Sequence, residues 1–532
     1  MAVLKLQPLP LGTSTFSVLR QDNEIYVDKT DLIYMLAGEG RGKIFLARPR
    51  RFGKSLLVST FESLFSHGTR DFRGLAIEKL WRESNTYPVV HLDFSLLKRK
   101  PDSHAFAAAF EDMLFEAFSR LGFEYDDRRS SFFAQLAAWL EIQPGASLVL
   151  LIDEYDAPLT ERLDAPEEFE AVRRTMSGFF DMMKSNEGCL RFFFMTGITK
   201  FRHTSIFSEL NNLDDISLNP IFGSLLGYTE KEIEKYFSGY LQRASQLLAR
   251  PQAELMNAMR AHYDGFSFDE RAASRVLNPW SVLNFLKYPQ LGFKNYWYES
   301  GGQPTVLKKY LDAHGLLNPQ AFNQPSAVDL DVLKSPNELG TLSPHALLTQ
   351  TGYLTIRREI VPGIVELGYP NKEVSASMAR LYADAMLKAE NLLPSGIPFL
   401  PRLLSEKSLD DIVDAFNKAI NALDYQRFPI RDEASCRASI QLLLIGAAMM
   451  PSAEVHSALG RSDLEVDAGS LRWVFEFKYA ENEAHQEKLL SEALDQLKSR
   501  RYGERLHGKE LHCAALVFDA RERRFRLWRE LC

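Results

Sequence analysis

A chain of 532 residues is too long for a single hydrophobic core, and at ~150 residues per domain it is expected to form about three domains. Apolar residues at 45% and charged residues at 25% exclude a disordered or fibrous chain, while a net charge of −7 excludes a uniformly cationic nucleic-acid coat and leaves room for a local basic face. The chain has no run of ~18 apolar residues and no signal-peptide core in MAVLKLQPLPLGTSTF, and its four scattered cysteines form no C-x-x-C pair; a cytoplasmic protein without membrane, disulfide frame or zinc cluster is expected.

In chain order, KIFLA, PVVHLDF, LVLLID and LRFFFMTG are short apolar runs separated by helical patterns, which predicts an α/β domain over 1–225 with a parallel sheet covered by helices. Residues 226–370 turn mostly helical, as in TEKEIEKYFSGYLQRASQLLA, with a Pro/Asn/Ser-rich linker near 315–345. Residues 371–532 open with helices and close, from about 460 to 529, on strand, turn, strand, helix, strand, strand: a separate α/β module. No internal repeat or low-complexity tract interrupts this order.

The first chemical signal is FLARPRRFGKSLL. A phosphate loop needs a strand, a tight turn with inward-pointing N–H groups, a lysine for the phosphates and a hydroxyl for Mg²⁺ at the start of a helix. KIFLA supplies the strand, Gly53, Lys54 and Ser55 fill the last three positions of G-x-x-x-x-G-K-[ST], and LLVSTFESLF continues as an amphipathic helix. Arg48 stands where the first glycine belongs; a positive φ there would cost about 1 kcal/mol, although Pro49 can set another turn. Arg51, Phe52, Gly53, Lys54, Ser55 and Leu56 are therefore the expected ATP-binding residues. GEGRGKI, just upstream, precedes the strand and lacks the hydroxyl, so it reads as a turn.

SLVLLIDEYDAPL ends a buried strand on Asp153 and Glu154. Asp153, with Ser55, is expected to hold Mg²⁺ and Glu154 to polarise the attacking water; the plainer alternative is an acidic turn after a strand. Thr196, at the end of LRFFFMTG, is placed to sense the terminal phosphate, with Thr199 competing and a simple hydroxyl cap equally open. Arg50, Arg51 and Arg202 are nearby cations.

The second signal is GRSDLEVDAGSLRWVFEFKYA. Asp463 is expected to end a short strand, DAGS to turn, and RWVFEFKY to alternate so that Val474, Glu476 and Lys478 share one face while Phe475, Phe477 and Tyr479 pack on the other. Asp463 and Glu476 offer oxygens to Mg²⁺, and Lys478 can steady the attacking water or the transition-state charge. D-x(n)-E-x-K is weak as a bare pattern, but here the charges interrupt an apolar strand, which is costly without a purpose. Glu433 is a candidate further metal ligand, against capping of its helix by Asp432 or Glu433. Between Lys498 and Arg529, ten Lys/Arg against four Asp/Glu leave a net +6, suited to a phosphate backbone or to a solvated edge.

Taken together, YVDKTDLI, ARPRRFGKSLL, LLIDEYDAPL, TGITKF, IFSELNNLDDI, NPWSVLNFL, TGYLTI and GYPNKEV resemble, over nearly the whole chain, the bacterial AAA-ATPase-like proteins that carry a C-terminal PD-(D/E)XK nuclease domain. The resemblance implies a P-loop ATPase domain at 1–225, a helical lid or linker at 226–370 and a restriction-endonuclease-like domain at 371–532. It implies that Arg48 is a family habit, places an acid near Glu433, and relates Gln496 and Tyr502 to residues that follow the nuclease lysine. The expected function is ATP binding and hydrolysis fused to a Mg²⁺-dependent nuclease acting on nucleic acid, with DNA the expected substrate, in defence or mobile-element processing. Self-association stays open. The alternative is a nucleotide-controlled signalling or assembly switch whose nuclease-like domain only binds nucleic acid; a scaffold with both sites idle is disfavoured by intact Asp463, Glu476 and Lys478.

Overall fold

The computed structural model describes residues 6–38, 40–200, 213–302, 325–334, 343–387, 399–406, 408–423, 425, 429–447, 449, 451–457, 460–500 and 509–531. The four apolar runs of the N-terminal region form β1 (Gly42–Ala47), β2 (Val89–Asp93), β3 (Leu148–Asp153) and β4 (Leu190–Gly197), joined at the edge by the two-residue β5 (Asp214–Asp215). All pairings are parallel, in the order β2-β3-β4-β1-β5. β3 and β4 are buried along their whole length, as strands covered on both faces must be.

The covering helices include α1 (Lys54–His67), α2 (Ser103–Ser119), α3 (Phe132–Glu141) and α4 (Pro166–Ser185). Phe106, Phe110, Leu114 and Phe118 recur at helical spacing on α2 and bury against the core that also holds Phe179 and Phe180 of α4. Asp102 starts α2 by accepting the Ala105 N–H (2.8 Å). Because every strand of this sheet runs the same way, the chain leaves β1, β3 and β4 along one edge, where ligands of such sheets bind.

Among the described residues, those through Val374 form one compact unit and those from Ser375 onward a second. The mostly helical middle belongs to the first. Its helices α5 (Ser238–Leu248), α6 (Gln252–Tyr263) and α7 (Pro279–Lys287) share a core with Ile25 and Val27 of the N-terminal segment. It adds a small antiparallel sheet in the order β6-β8-β7, made of β6 (Ser326–Asp329), β7 (Thr355–Val361) and β8 (Ile364–Gly368). Gly352, at φ 88°, packs where an added Cβ would come within 2.8 Å of the Pro49 ring, so only glycine lets this region close on the loop after β1.

Helix α8 (Lys372–Leu387) begins in the first unit. The second unit holds α9 (Leu409–Asn421) and α10 (Glu433–Gly446), then β9 (Ser452–Ser457), β10 (Gly460–Ala468), β11 (Leu471–Ala480), α11 (Gln486–Arg500), β12 (Glu510–Asp519) and β13 (Arg524–Glu530). The sheet order is β13-β12-β11-β10-β9, antiparallel except for β11 with β12, whose connection runs through α11. Phe416 of α9 packs on Phe475 and Phe525, and Leu490, Ala493, Leu494 and Leu497 of α11 on Val474, Ala515 and Val517. The strand, turn, strand, helix, strand, strand succession is present, preceded by β9. Asp463 lies inside β10 instead of ending it, because β10 pairs on through Ala468↔Leu471 before the turn at Gly469 and Ser470.

One buried acid ties the middle region together. Glu373, wholly inaccessible, accepts the Trp297 backbone N–H (2.8 Å) and the Ser281 hydroxyl (2.8 Å to Oε2), and burial pushes its carboxyl up to about 8. A group whose folded pKa is raised gives stability that is fully present below its ordinary range and is lost as pH climbs through the folded value. The melting temperature is therefore expected to fall between about pH 5 and 8 more steeply in the wild type than in Glu373→Gln, which keeps the acceptor without the titration. Superimposable pH profiles of the two proteins would refute this.

Candidate functional site

At the end of β1, Arg48 N–H donates to Gly197 O of β4 (3.1 Å), and the chain turns through Pro49, Arg50, Arg51, Phe52 and Gly53 into α1. The left-handed backbone falls at Arg51 (φ 67°) and Gly53 (φ 96°) and not at Arg48, so the strain expected at Arg48 is absent and its cost moves to Arg51. Arg51 is held there by its guanidinium, 4.3 Å over the Trp280 ring and 3.1 Å from Ser300 O. Trp297 Nε1 donates to Arg50 O (3.2 Å), and Phe52 lies edge-on to Phe266 (4.9 Å) and Phe268 (5.1 Å). The middle region thus grips the loop from outside.

Lys54 opens α1 and is buried, its Nζ donating to Arg48 O (3.0 Å) and Pro49 O (3.1 Å). Burial lowers its pKa, while Asp153 and Glu154 act in the opposite sense. Ser55 stands exposed on the first turn. Phe52, Gly53 and Leu56 form one side of an apolar cavity of about 90 Å³, closed by Ile25, Val27 and Leu226 among others. A buried lysine at a helix N-terminus beside an apolar cavity fits a polyphosphate joined to a flat base.

Across β4, Asp153 ends β3 almost fully buried, its Oδ1 accepting the Glu154 N–H (2.9 Å). Glu154 has φ 49°, and burial pushes its carboxyl up against the pull of Lys54. The β2–β3 register sets Asp93 directly beside Asp153. Sequence reasoning missed Asp156. It accepts the Ile198 N–H (3.2 Å), the Thr199 N–H (2.8 Å) and the Thr199 hydroxyl (2.6 Å), and Gly197 is glycine because a Cβ there would come within 2.5 Å of Asp156 Oδ1. The signal was present as the third acid of DEYD. The Thr196 hydroxyl, expected either to sense the terminal phosphate or simply to cap the turn, is buried and donates to Leu46 O (2.7 Å). Thr199, its competitor, is tied to Asp156. Arg202 lies outside the described residues.

In the second unit the β10–β11 pairing runs from Leu464↔Phe475 to Ala468↔Leu471, and Asp463 and Glu476 are the next residues beyond it on the two strands. Asp463 Oδ2 accepts the Phe477 N–H (2.9 Å), and Arg437 Nη1 lies 3.9 Å from its Oδ1. Glu476 and Lys478 are buried, with Lys478 Nζ 3.6 Å from Glu476 Oε1 and 3.4 Å from Glu433 Oε2. Asp432 caps α10 by accepting the Ser435 N–H (2.7 Å), which leaves the Glu433 side chain to Lys478. The working face is less open than its alternation implies, since Val474 and Ala480 at its two ends pack under α11. Among the described residues no three metal-binding side chains are gathered as a ready cage. The carboxylates of Asp463 and Glu476, carried on neighbouring strands, are nevertheless the hard oxygen donors that suit a divalent cation keeping most of its waters.

The basic stretch is partly neutralised within itself: Arg524 and Arg526 pair with Glu522 (2.6 and 4.0 Å), and Arg523 lies over the Tyr425 ring (4.2 Å). Residues 501–508, with Tyr502, lie outside the described residues. Among the described residues no helix is long and apolar enough to cross a membrane.

Comparison with known proteins assigns a family to each of the two regions. Residues 10–207 match the family model described as predicted AAA-ATPase, and residues 433–528 that of the PD-(D/E)XK nuclease superfamily. Over 524 residues the chain is 31% identical to an uncharacterized protein in the vnfD 5′ region of Azotobacter chroococcum mcd 1, covering 96% of each chain. The chain belongs to the AAA-ATPase-like family with a PD-(D/E)XK nuclease domain. Among solved structures, Cdc6p of Pyrobaculum aerophilum aligns with this AAA-ATPase-like chain over 67% of its length and 95% of Cdc6p's own, at 11% identity and a TM-score of 0.25.

Removing the Asp156 carboxylate strands two buried N–H groups and a hydroxyl. Asp156→Ala is expected to lower the unfolding free energy by about 3 kcal/mol, read by urea denaturation. A loss under about 0.5 kcal/mol would show that the loop after β4 does not depend on this acid.

Proposed function

We propose that the protein is a cytoplasmic ATPase whose nuclease domain cuts phosphodiester bonds in DNA with Mg²⁺, under the control of the nucleotide site. The observation that carries the reading is the placement of Lys478 between Glu476 and Glu433 on a buried strand, with Asp463 across the hairpin. Burying Glu476 and Lys478 on one strand face is unfavourable for a purely structural sheet and useful for a site that must order a phosphate and a water.

At the nucleotide site, Arg51, Phe52, Gly53 and Leu56 would present the loop to the phosphates and base, and Lys54 would leave the carbonyls of Arg48 and Pro49 to meet the phosphates. Ser55 and Asp153 would hold the cation. Glu154, its carboxyl raised by burial, is a stronger base than an exposed glutamate and would orient the attacking water. In the nuclease domain Asp463 and Glu476, with Glu433 at the rim, would hold the cation and Lys478 would steady charge on the attacked phosphate. A divalent ion at either place supplies neutralisation of phosphate oxygens and a more acidic water. The exposed Arg526 and Arg529 on the edge strand β13 would meet the DNA backbone.

The test incubates purified protein with plasmid or linear DNA, Mg²⁺ and ATP. Asp463→Ala is expected to lose cleavage by about a hundredfold or more, and Lys54→Ala to lose ATP turnover to a similar degree. Cleavage by Asp463→Ala at the wild-type rate would remove the nuclease assignment, and unaltered turnover in Lys54→Ala the phosphate-loop assignment. Glu154→Gln is expected to retain bound ATP while losing turnover by about a hundredfold; turnover equal to wild type would mark the site as a binder governed by exchange.

A further inference from the structure

Arg48 occupies the position at which a phosphate loop has its first glycine, and the fold turns it into an anchor. Its side chain is 1% exposed. Nη1 donates to Ala47 O (2.9 Å) and Ser217 O (2.7 Å), Nη2 donates to Phe222 O (3.2 Å), and the guanidinium carbon sits 4.3 Å above the Phe268 ring. The segment it grips, Ser217 to Phe222, runs directly into Leu225, Leu226, Gly227 and Tyr228, one wall of the apolar cavity beside Gly53 and Leu56. Ser217 is bound to the loop strand a second time, its hydroxyl accepting the Ala47 N–H (2.9 Å). The main chain of Arg48 meanwhile receives Lys54 Nζ on its carbonyl. One residue therefore links the cation that would meet the phosphates to the wall that would meet the base.

Only a guanidinium makes this link. Its fork reaches two carbonyls that belong to different turns of the chain while its flat face lies on an aromatic ring; an ammonium is a single point and has no face to stack. Glycine at this position would restore the common loop sequence but delete the link. Arg48 is thus not a tolerated blemish in the loop.

We propose that Arg48 is a nucleotide-positioning residue: it sets the wall formed by residues 217–228 against the phosphate loop, and so determines how tightly nucleotide binds without taking part in its hydrolysis. The role rests on the ATP-site reading above. The experiment measures binding of a fluorescent ATP analogue and steady-state ATP turnover in the full chain for wild type, Lys54→Ala, Arg48→Gly and Arg48→Lys. Arg48→Gly is expected to weaken binding and raise KM by about tenfold or more while kcat changes by less than about threefold, and guanidinium ion at millimolar concentration is expected to restore much of the lost affinity. Arg48→Lys, which keeps the charge and most of the volume, covers the case in which glycine does not fold; it too is expected to bind about tenfold more weakly. Wild-type affinity in either folded variant, or a folded Arg48→Gly that guanidinium does not rescue, overturns the positioning role. Wild-type protein that binds the analogue no better than Lys54→Ala overturns the ATP site itself, and with it this role, so the two failures are told apart.

Discussion

A buried ammonium governs the N-terminal unit. Lys54 is held at the start of α1 by two main-chain carbonyls of the turn that precedes it, in the field of Asp153, Glu154 and Asp156. A charge out of water needs partners at short range, and these can reach it only if β1, β4 and β3 lie side by side with their carboxyl ends level. The parallel order β2-β3-β4-β1-β5 meets that condition. The loop shape, the Asp156 clasp on the turn after β4 and the packing of Phe52 and Pro49 against the middle region all keep the turn where Lys54 needs it.

The second unit meets the same difficulty with a different architecture. Asp463 sits on β10 and Glu476 and Lys478 on the adjacent antiparallel β11, so paired strands and not a loop carry them. Trp473, Phe475 and Phe477 on the opposite face of β11 are fully buried and stack on one another, which stiffens the strand that carries the acid and the lysine. The short two-residue turn at Gly469 and Ser470 fixes the pairing, and a slip by one residue would carry Glu476 and Lys478 to the aromatic side.

Much of the two candidate sites was nominated by residue type and spacing. Continuous apolar runs identified the buried strands because parallel strands covered on both faces tolerate few polar residues, and the acids at the end of β3 were visible for the same reason. The small sheet β6-β8-β7 was not, since its strands are short, part-charged and set among helices, where alternation carries little signal. The bond from the Thr196 hydroxyl to Leu46 O was not legible, because strand periodicity says which face a residue takes but not which carbonyl its hydroxyl meets. Asp156 was passed over because nothing local distinguishes a third acid that folds back onto the next strand from one that faces water.

By itself the sequence determined the chemical inventory: a lysine and a hydroxyl after a strand, two acids ending another, and an acid, an acid and a lysine on a hairpin, each beside enough apolar surface to be buried. Those are properties of nearest neighbours along the chain, and local sterics and hydrophobic patterning suffice to state them. Only the tertiary structure decided that Arg48 points inward to carbonyls more than 160 residues away, that Arg51 takes the left-handed conformation in its place, and that Glu433 reaches Lys478 while Asp432 caps the helix. Each depends on which distant groups happen to compete for the same donor or acceptor, and that competition exists only once the chain has closed on itself.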